Sequence, residues 1–452
     1  MIDTKQITEK YYLKALDALK EAIKINTVYD EKSRSKTDPF GKGVSKGLNF
    51  FKELGETLGF KSVNYDNYVT ELSYGEGKIL DIYAHTDVVP VSEHWESDPF
   101  YPSVKNNIMY ARGASDDKGP AIAAIYACKA LLDEGYLGNF KLRIIIGGNE
   151  ERDSLCLDHY FNKLNKPYPD MGFSPDGNFP LIYAEKTICN FEVEYENIKI
   201  PLISSFHFGE AFNVVLDEFR LKNVFDSLKL EEYIAQNTEG EIHIEGDELV
   251  FKGKPAHGST PDKGINAACM GLTFLGTYYN IPRLIEIASY FRNGNGEEFN
   301  GNYTSVDFSS SSYCLGKISY ENETLKLSIN SRFPNEYDVD LVMNNLKANT
   351  NADRIKYIGG SKGFKIDLDS PLIVTLLKAY QEVTSDYESK PLAIGGGTYA
   401  RESKNSVAFG MEFPGVDTLM HQDGEFLPLD DFKKGIEIYI KAIYELGKVL
   451  SK

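Results

Sequence analysis

Seven histidines occur in 452 residues, and three of them stand in settings that suit chemistry. His85 lies in AHTDVVP, directly after an apolar run, with Asp87 two residues on. His421 lies in LMHQDGEF near the C-terminus, and His257 lies in KPAHGSTP. Acidic residues gather in comparable places. Asp116 and Asp117 stand together in RGASDDKGP, Glu150 and Glu151 follow the apolar run RIIIGG, and Asp176 lies in FSPDGNFP. Each has an ordinary explanation taken alone. An acid before a helix caps it, as Asp116 is placed to do, and a lone His at a strand end is more often structural than a ligand. The group resists that explanation. Adjacent carboxylates repel, and an apolar strand end holds two of them only at a cost unless a counter-charge is near. A bound cation removes the cost. Three carboxylates with two imidazoles suit a pair of divalent ions such as zinc, manganese or cobalt.

The elements around these residues read as strand and helix in alternation. Residues 6–25 carry Leu13, Leu16, Leu19, Ile23 and Ile25 at helical spacing. A second helix is expected near 44–58 and a third, apolar throughout, from Lys118 to Tyr136. GKILDIYAHTD and KLRIIIGGNEE read as buried strands that end in the acidic loops. That alternation predicts an α/β sheet with polar residues at its strand ends. The texture changes after about 187. FEVEYENIKI, GEIHIEGDELVFKGK and TLKLSINSRF alternate as half-buried strands, with helical signals near 211–222 and 264–278. A helix over 370–386, a Gly-rich loop and a final helix over 430–450 follow. The expected fold is α/β. A discontinuous catalytic domain (1–186 and 370–452), with a central mixed sheet flanked by helices, is interrupted by an inserted α+β lid domain (187–369) enlarged to two subdomains.

Composition narrows the function classes. Lys plus Arg number 49 against 67 Asp plus Glu, a formal net charge of −18. That sign argues against nucleic acid and against adsorption to an anionic membrane. The N-terminal residues carry charges every few positions and lack the apolar core of a signal peptide. No apolar run approaches a membrane span. The five cysteines are scattered without a CxxC pair, so neither a disulfide framework nor a cysteine zinc site is expected. The expected compartment is the cytoplasm. The run GKGVSKG follows a Pro and no apolar strand, so it is a poor dinucleotide signal.

AHTDVVP, RGASDDKGP, NEE, SPDGNFP and a late single His, in that order from residue 84 to 421, resemble the di-metal peptidases. These include aminoacylases, glutamate carboxypeptidases, succinyl-diaminopimelate desuccinylases and Xaa-His (carnosinase-like) dipeptidases. The resemblance implies two divalent ions, zinc first, with manganese or cobalt as alternatives. It implies that His85 and Asp176 bind one ion, that Glu151 and His421 bind the other, and that Asp116 bridges them. Asp117 would then cap or support. Asp87 would hold the second imidazole nitrogen of His85. Glu150 would be the general base on a metal-bridging water. His257 would donate to the oxyanion. Arg332, in NSRFP, would grip the substrate's C-terminal carboxylate. Asn213 in AFNVVLD and Gly396, Gly397 and Thr398 in GGGTYAR would be further substrate contacts.

Length selects among the branches. The insertion runs to roughly 180 residues, more than one modest domain of ~100. In the shorter relatives a small inserted domain dimerises and lends its His to the partner's site. A longer insertion resembles the dipeptidase branch, so Asn213 and His257 are expected to act in cis in a monomer. The expected function is hydrolysis of dipeptides with a free C-terminal carboxylate. One alternative is an N-acyl amino-acid deacylase or a succinyl-diaminopimelate desuccinylase with the same chemistry. The other is a non-catalytic metal- or peptide-binding protein.

Overall fold

Apolar strands carrying one buried charge each organise the first half of the chain. The computed structural model describes residues 2–222 and 224–452. Ile79–His85 and Lys141–Gly147 run parallel and are buried along almost their whole length. Strands covered on both faces read as continuous apolar runs. The exceptions, Asp81 and Arg143, are register partners. The guanidinium donates twice to the carboxylate at 2.6 Å, and the Tyr83 hydroxyl donates to it as well at 2.6 Å. Pairing makes those two buried charges tolerable.

The chain divides into two units. The first comprises Met1–Ala184, Lys365–Leu392 and Gly397–Lys452; the second comprises Glu185–Phe364 and Ala393–Gly396. In the first unit the strand order is Lys61–Tyr65, Val69–Tyr74, Lys141–Gly147, Ile79–His85, Met171–Ser174 and Ser406–Ala408, then Ile182–Glu185, where the chain leaves the unit. The sheet is mixed. Its centre, from Lys141–Gly147 to Ser406–Ala408, is parallel, and its flanks are antiparallel. Helices Thr4–Ile23, Lys118–Asp133 and Leu429–Leu450 pack on one another, and Pro371–Thr384 packs on the last of them. Lys118–Asp133 is buried on nearly every side, as a helix without a polar face must be. Among the described residues no helix is long and apolar enough to cross a membrane, and all five cysteines are free and buried.

The second unit holds an antiparallel five-stranded sheet, ordered Ser205–Phe208, Ser312–Glu321, Thr324–Phe333, Thr187–Tyr195 and Arg354–Ser361. Thr187–Tyr195 alternates buried and half-buried along its length. A separate three-stranded sheet is built from Glu218–Lys222, Glu248–Lys252 and Glu241–Glu245. Phe219 and Phe251 join it to Phe274 of the helix Ala267–Tyr278 in the unit's core. The helix expected over 211–222 does not form. Phe219 and Leu221 alternate with Glu218, Arg220 and Lys222 at a period of two, and the segment pairs with Glu248–Lys252 as a strand.

Candidate metal centre

The carboxyl ends of three parallel strands deliver most of the site. His85 and Gly147 are register partners, and Ile82 pairs with Phe173, so the loops that follow emerge side by side. This is where ligands bind in open α/β sheets. From these ends come His85 and Asp87, Glu150 and Glu151, and Asp176. Asp116 precedes the helix Lys118–Asp133, and the Asp116–Asp117 peptide is cis. His421 arrives from the loop before the last helix, with a left-handed backbone at φ 64°. That conformation costs a non-glycine residue roughly 1–3 kcal/mol and persists only where the surroundings enforce it.

Two donor groups result, and both lie in the first unit. His85, Asp116 and Asp176 form one; Asp116, Glu151 and His421 form the other; within each, the donor atoms lie within 4.8 Å of one another. Asp116 is common to both. Its two oxygens stand 3.1 Å from His85 Nε2 and 2.8 Å from His421 Nε2. His85 Nε2 also stands 3.6 Å from Asp176, and His421 Nε2 stands 3.2 Å from Glu151. His85 Nε2 and Glu151 Oε1 are buried without a hydrogen-bond partner of good geometry. Lone pairs so aimed, from imidazole and carboxylate, fit a borderline divalent cation.

Supporting contacts fix these side chains. The Asp87 backbone carbonyl lies 2.9 Å from His85 Nδ1, while the Asp87 carboxylate lies 3.6 Å from it. That carboxylate accepts instead from the backbone N–H of Glu150 and of Glu151, at 3.2 and 3.1 Å. Asp117 accepts from the backbone N–H of His85 at 2.9 Å. Tyr399 presents its ring edge-on to the His85 imidazole, with centroids 5.9 Å apart. A Cβ at Gly147 would meet the Tyr399 hydroxyl at 2.1 Å, so only glycine fits there. Tyr399 was not singled out in the sequence, although it directly follows Thr398.

Without cations the electrostatics are lopsided. Burial alone would lower the His85 pKa, but Asp116, Asp176 and Asp87 carry it well above the usual imidazole value. Against the same effect of burial, Asp116 and Glu151 raise His421 to about 11. Burial pushes Glu150 well above the usual carboxylate value, and Asp176 and Glu151 add to that. The metal-free site therefore binds protons where it would bind metal.

The second unit gathers another set of candidates. Arg332 Nη1 donates to the Gly395 carbonyl at 2.7 Å, Nε donates to Asn330 Oδ1 at 2.9 Å, and Nη2 lies 3.3 Å from His257 Nε2. His257 Nδ1 lies 2.8 Å from Ser259 Oγ, and the Gly258 N–H donates to the Asn213 carbonyl at 2.7 Å. His257, Arg332 and Asn213 thus lie close together within this unit, in the unit that also holds Gly396. Gly397 and Thr398 belong to the first unit, where the Thr398 hydroxyl accepts from the Ala400 N–H at 3.2 Å.

A mixed α/β sheet thus carries five acidic and imidazole side chains beside its strand ends, in two groups that could each hold a metal ion. The family model for Peptidase family M20/M25/M40 matches residues 82–445. The chain belongs to that family and is a hydrolase acting on peptide bonds. It is 33% identical over 454 residues to "Putative dipeptidase YtjP" of Bacillus subtilis, covering 95% of this chain and 96% of the relative. It is 32% identical over 467 residues to "Putative dipeptidase SH1171" of Staphylococcus haemolyticus, covering 98% and 99%. The fold is similar to that of the di-peptidase Dug1p from Saccharomyces cerevisiae (TM-score 0.61, 17% identity, 98% of each chain). It is also similar to that of human carnosine dipeptidase 1 (TM-score 0.59, 15% identity, 98% of each chain).

Proposed function

We propose that the chain is a metal-dependent dipeptidase, hydrolysing the peptide bond of dipeptides that carry a free C-terminal carboxylate. The observation that supports this reading most is the pair of donor groups sharing Asp116 beside Glu150, a carboxylate that belongs to neither group. His85 and Asp176 would hold one divalent ion, Glu151 and His421 would hold the other, and Asp116 would serve both. Two such ions, zinc first and manganese or cobalt as alternatives, would acidify a water and polarise the scissile carbonyl. Glu150 takes the water's proton and returns it to the leaving amine. Asp87 keeps Glu150 and Glu151 in place through their backbone N–H groups. His257 donates to the developing oxyanion. Arg332, with Asn213, Gly396, Gly397 and Thr398, receives the substrate carboxylate. The enzyme works as a cytoplasmic monomer.

The deciding assay is metal analysis followed by turnover on a dipeptide panel, beside N-acetyl amino acids and N-succinyl-diaminopimelate. Dipeptides are expected to be cleaved at least about 100-fold faster, a discrimination worth roughly 2.7 kcal/mol. Cleavage of the acyl substrates alone would overturn the dipeptidase reading while leaving the peptidase-family chemistry intact.

Metal binding should also release protons. His85 and His421 are both held protonated in the metal-free site, and each must be neutral to act as a ligand. Filling the site near pH 7.5 should therefore release about two protons or more per chain. Protons compete with metal, so affinity rises as pH rises from about 6 toward 9. Calorimetric titration in two buffers of different ionisation enthalpy measures the count. A count of zero would mean that the imidazoles are not ligands.

A further inference from the structure

Glu425 is fully buried, yet its carboxylate is not among the donors of either group. Its Oε2 accepts from Arg112 Nη1 at 2.8 Å and from the Gly113 N–H at 3.1 Å. Its Oε1 accepts from the Ser115 N–H at 2.9 Å and from the Asp116 N–H at 3.1 Å. One carboxylate thus gathers three backbone donors of the short loop that ends in Asp116. Glu425 also stands four residues after His421, so the same segment carries a ligand of the second group. The Ser115 hydroxyl makes a parallel link, donating to the Phe426 carbonyl at 2.6 Å. The clasp extends outward: the Arg112 guanidinium lies 5.4 Å from the centroid of Trp95, the only tryptophan in the chain, and Ser92 donates to Asp423.

We infer that Glu425 is a positioning residue for the metal centre, locking the Asp116 loop to the His421 loop so that Asp116 meets both donor groups. The inference rests on the metal-dependent reading above. A bridging carboxylate has little tolerance, because its two oxygens must face two different partners at once. The Asp116 side chain cannot set that orientation itself, since its nearest partners, His85 and His421, are the other ligands. The orientation has to come from the backbone, and three of the N–H groups at and before Asp116 are fixed by Glu425. Outer partners that orient metal ligands typically change affinity 10–100-fold when removed. A role confined to neutralising Arg112 would need only the one ion pair and not the three backbone bonds.

The test uses the full chain stripped of metal and titrated with cobalt(II), followed by visible absorption and by Trp95 emission. Glu425→Gln removes the charge and places an amide N–H against donors. It is expected to lower cobalt affinity about 10–100-fold and to alter the shape of the absorption band, while the metal-free far-ultraviolet circular dichroism stays that of the parent. Trp95 emission should shift as Arg112 loses its partner. Glu425→Asp restores the charge but withdraws the carboxylate by one methylene, and it should fail to restore affinity; full rescue would make the role one of charge and overturn positioning. Should Glu425→Gln not fold, Ser115→Ala removes only the parallel link and is expected to lower affinity at least about threefold, as a weaker version of the same outer-shell effect. A folded Glu425→Gln with the parent's affinity and band shape overturns the inference, as does an unchanged Ser115→Ala where Glu425→Gln is unfolded. A parent chain that binds no cobalt sinks the metal reading itself, and the inference with it.

Discussion

The Glu150→Ala variant is expected to keep its metal and lose about 10²–10⁴-fold in kcat, the range of a general base. Glu150 feels the charges of His85, Asp176, Glu151 and Asp116 but belongs to neither donor group. Its backbone N–H is held by Asp87, whose carboxylate also fixes Glu151. The backbone at Glu150 is therefore fixed, and its side chain is in neither donor group. Its proton affinity is raised chiefly by burial, then by Asp176 and Glu151, and two cations would bring it back toward the working range. Since a base acts in its deprotonated form, kcat/KM of the parent rises with pH through the Glu150 value, and the variant should lose that acidic limb. KM should change little, because the proposed reading assigns the grip on the substrate to other residues. Rate profiles beside metal analysis separate the possibilities. Loss of metal along with activity would make Glu150 a ligand, and retention of activity would remove it from the base role.

Much of this site was legible because its residues cluster at the ends of apolar runs. His85 ends a buried strand and Glu150, Glu151 and Asp176 each follow one, and the period and length of those runs are local properties of the sequence. Contacts made across the sheet were not legible. Spacing brought Asp87 near His85, and the resemblance implied that its side chain holds the imidazole. In the folded chain the Asp87 backbone carbonyl is the nearer partner of that ring, and the carboxylate turns to the 150–151 backbone. Glu425 and Tyr399 carry no local signal either. Each matters through a segment hundreds of residues away, Asp116 for the first and His85 for the second. The same holds for Asp81 and Arg143, charges that look misplaced inside apolar strands until parallel pairing makes them neighbours. The error at 211–222 has another origin. Its apolar residues fit a helical face in part, but a neighbouring hairpin strand offered backbone partners, and alternation prevailed.

Asp116→Ala should cost the protein both ions, whereas His421→Ala should cost it one. Asp116 is the only side chain common to the two donor groups. Without it each group retains two side chains, His85 with Asp176 and Glu151 with His421, half of the four ligands that a zinc-like ion ordinarily takes. Without His421 the first group is complete, and the second keeps Asp116 and Glu151. Removing a ligand should exceed the 10–100-fold loss typical of an outer-shell partner, so affinity for both ions should fall by more than about 100-fold in Asp116→Ala. Turnover should fall below detection with them. The metal-free state gives an independent check. Asp116 is the nearest carboxylate to His421 Nε2, at 2.8 Å, and lies 3.1 Å from His85 Nε2. It is also among the groups that raise both imidazole values. In Asp116→Ala both histidines should titrate at lower pH than in the parent, a shift that nuclear magnetic resonance of the imidazole protons resolves without any metal present. Loss of a single ion in Asp116→Ala, with the first group still filled, would show that the two groups do not share this carboxylate. The ions would then have to be held by separate ligand sets.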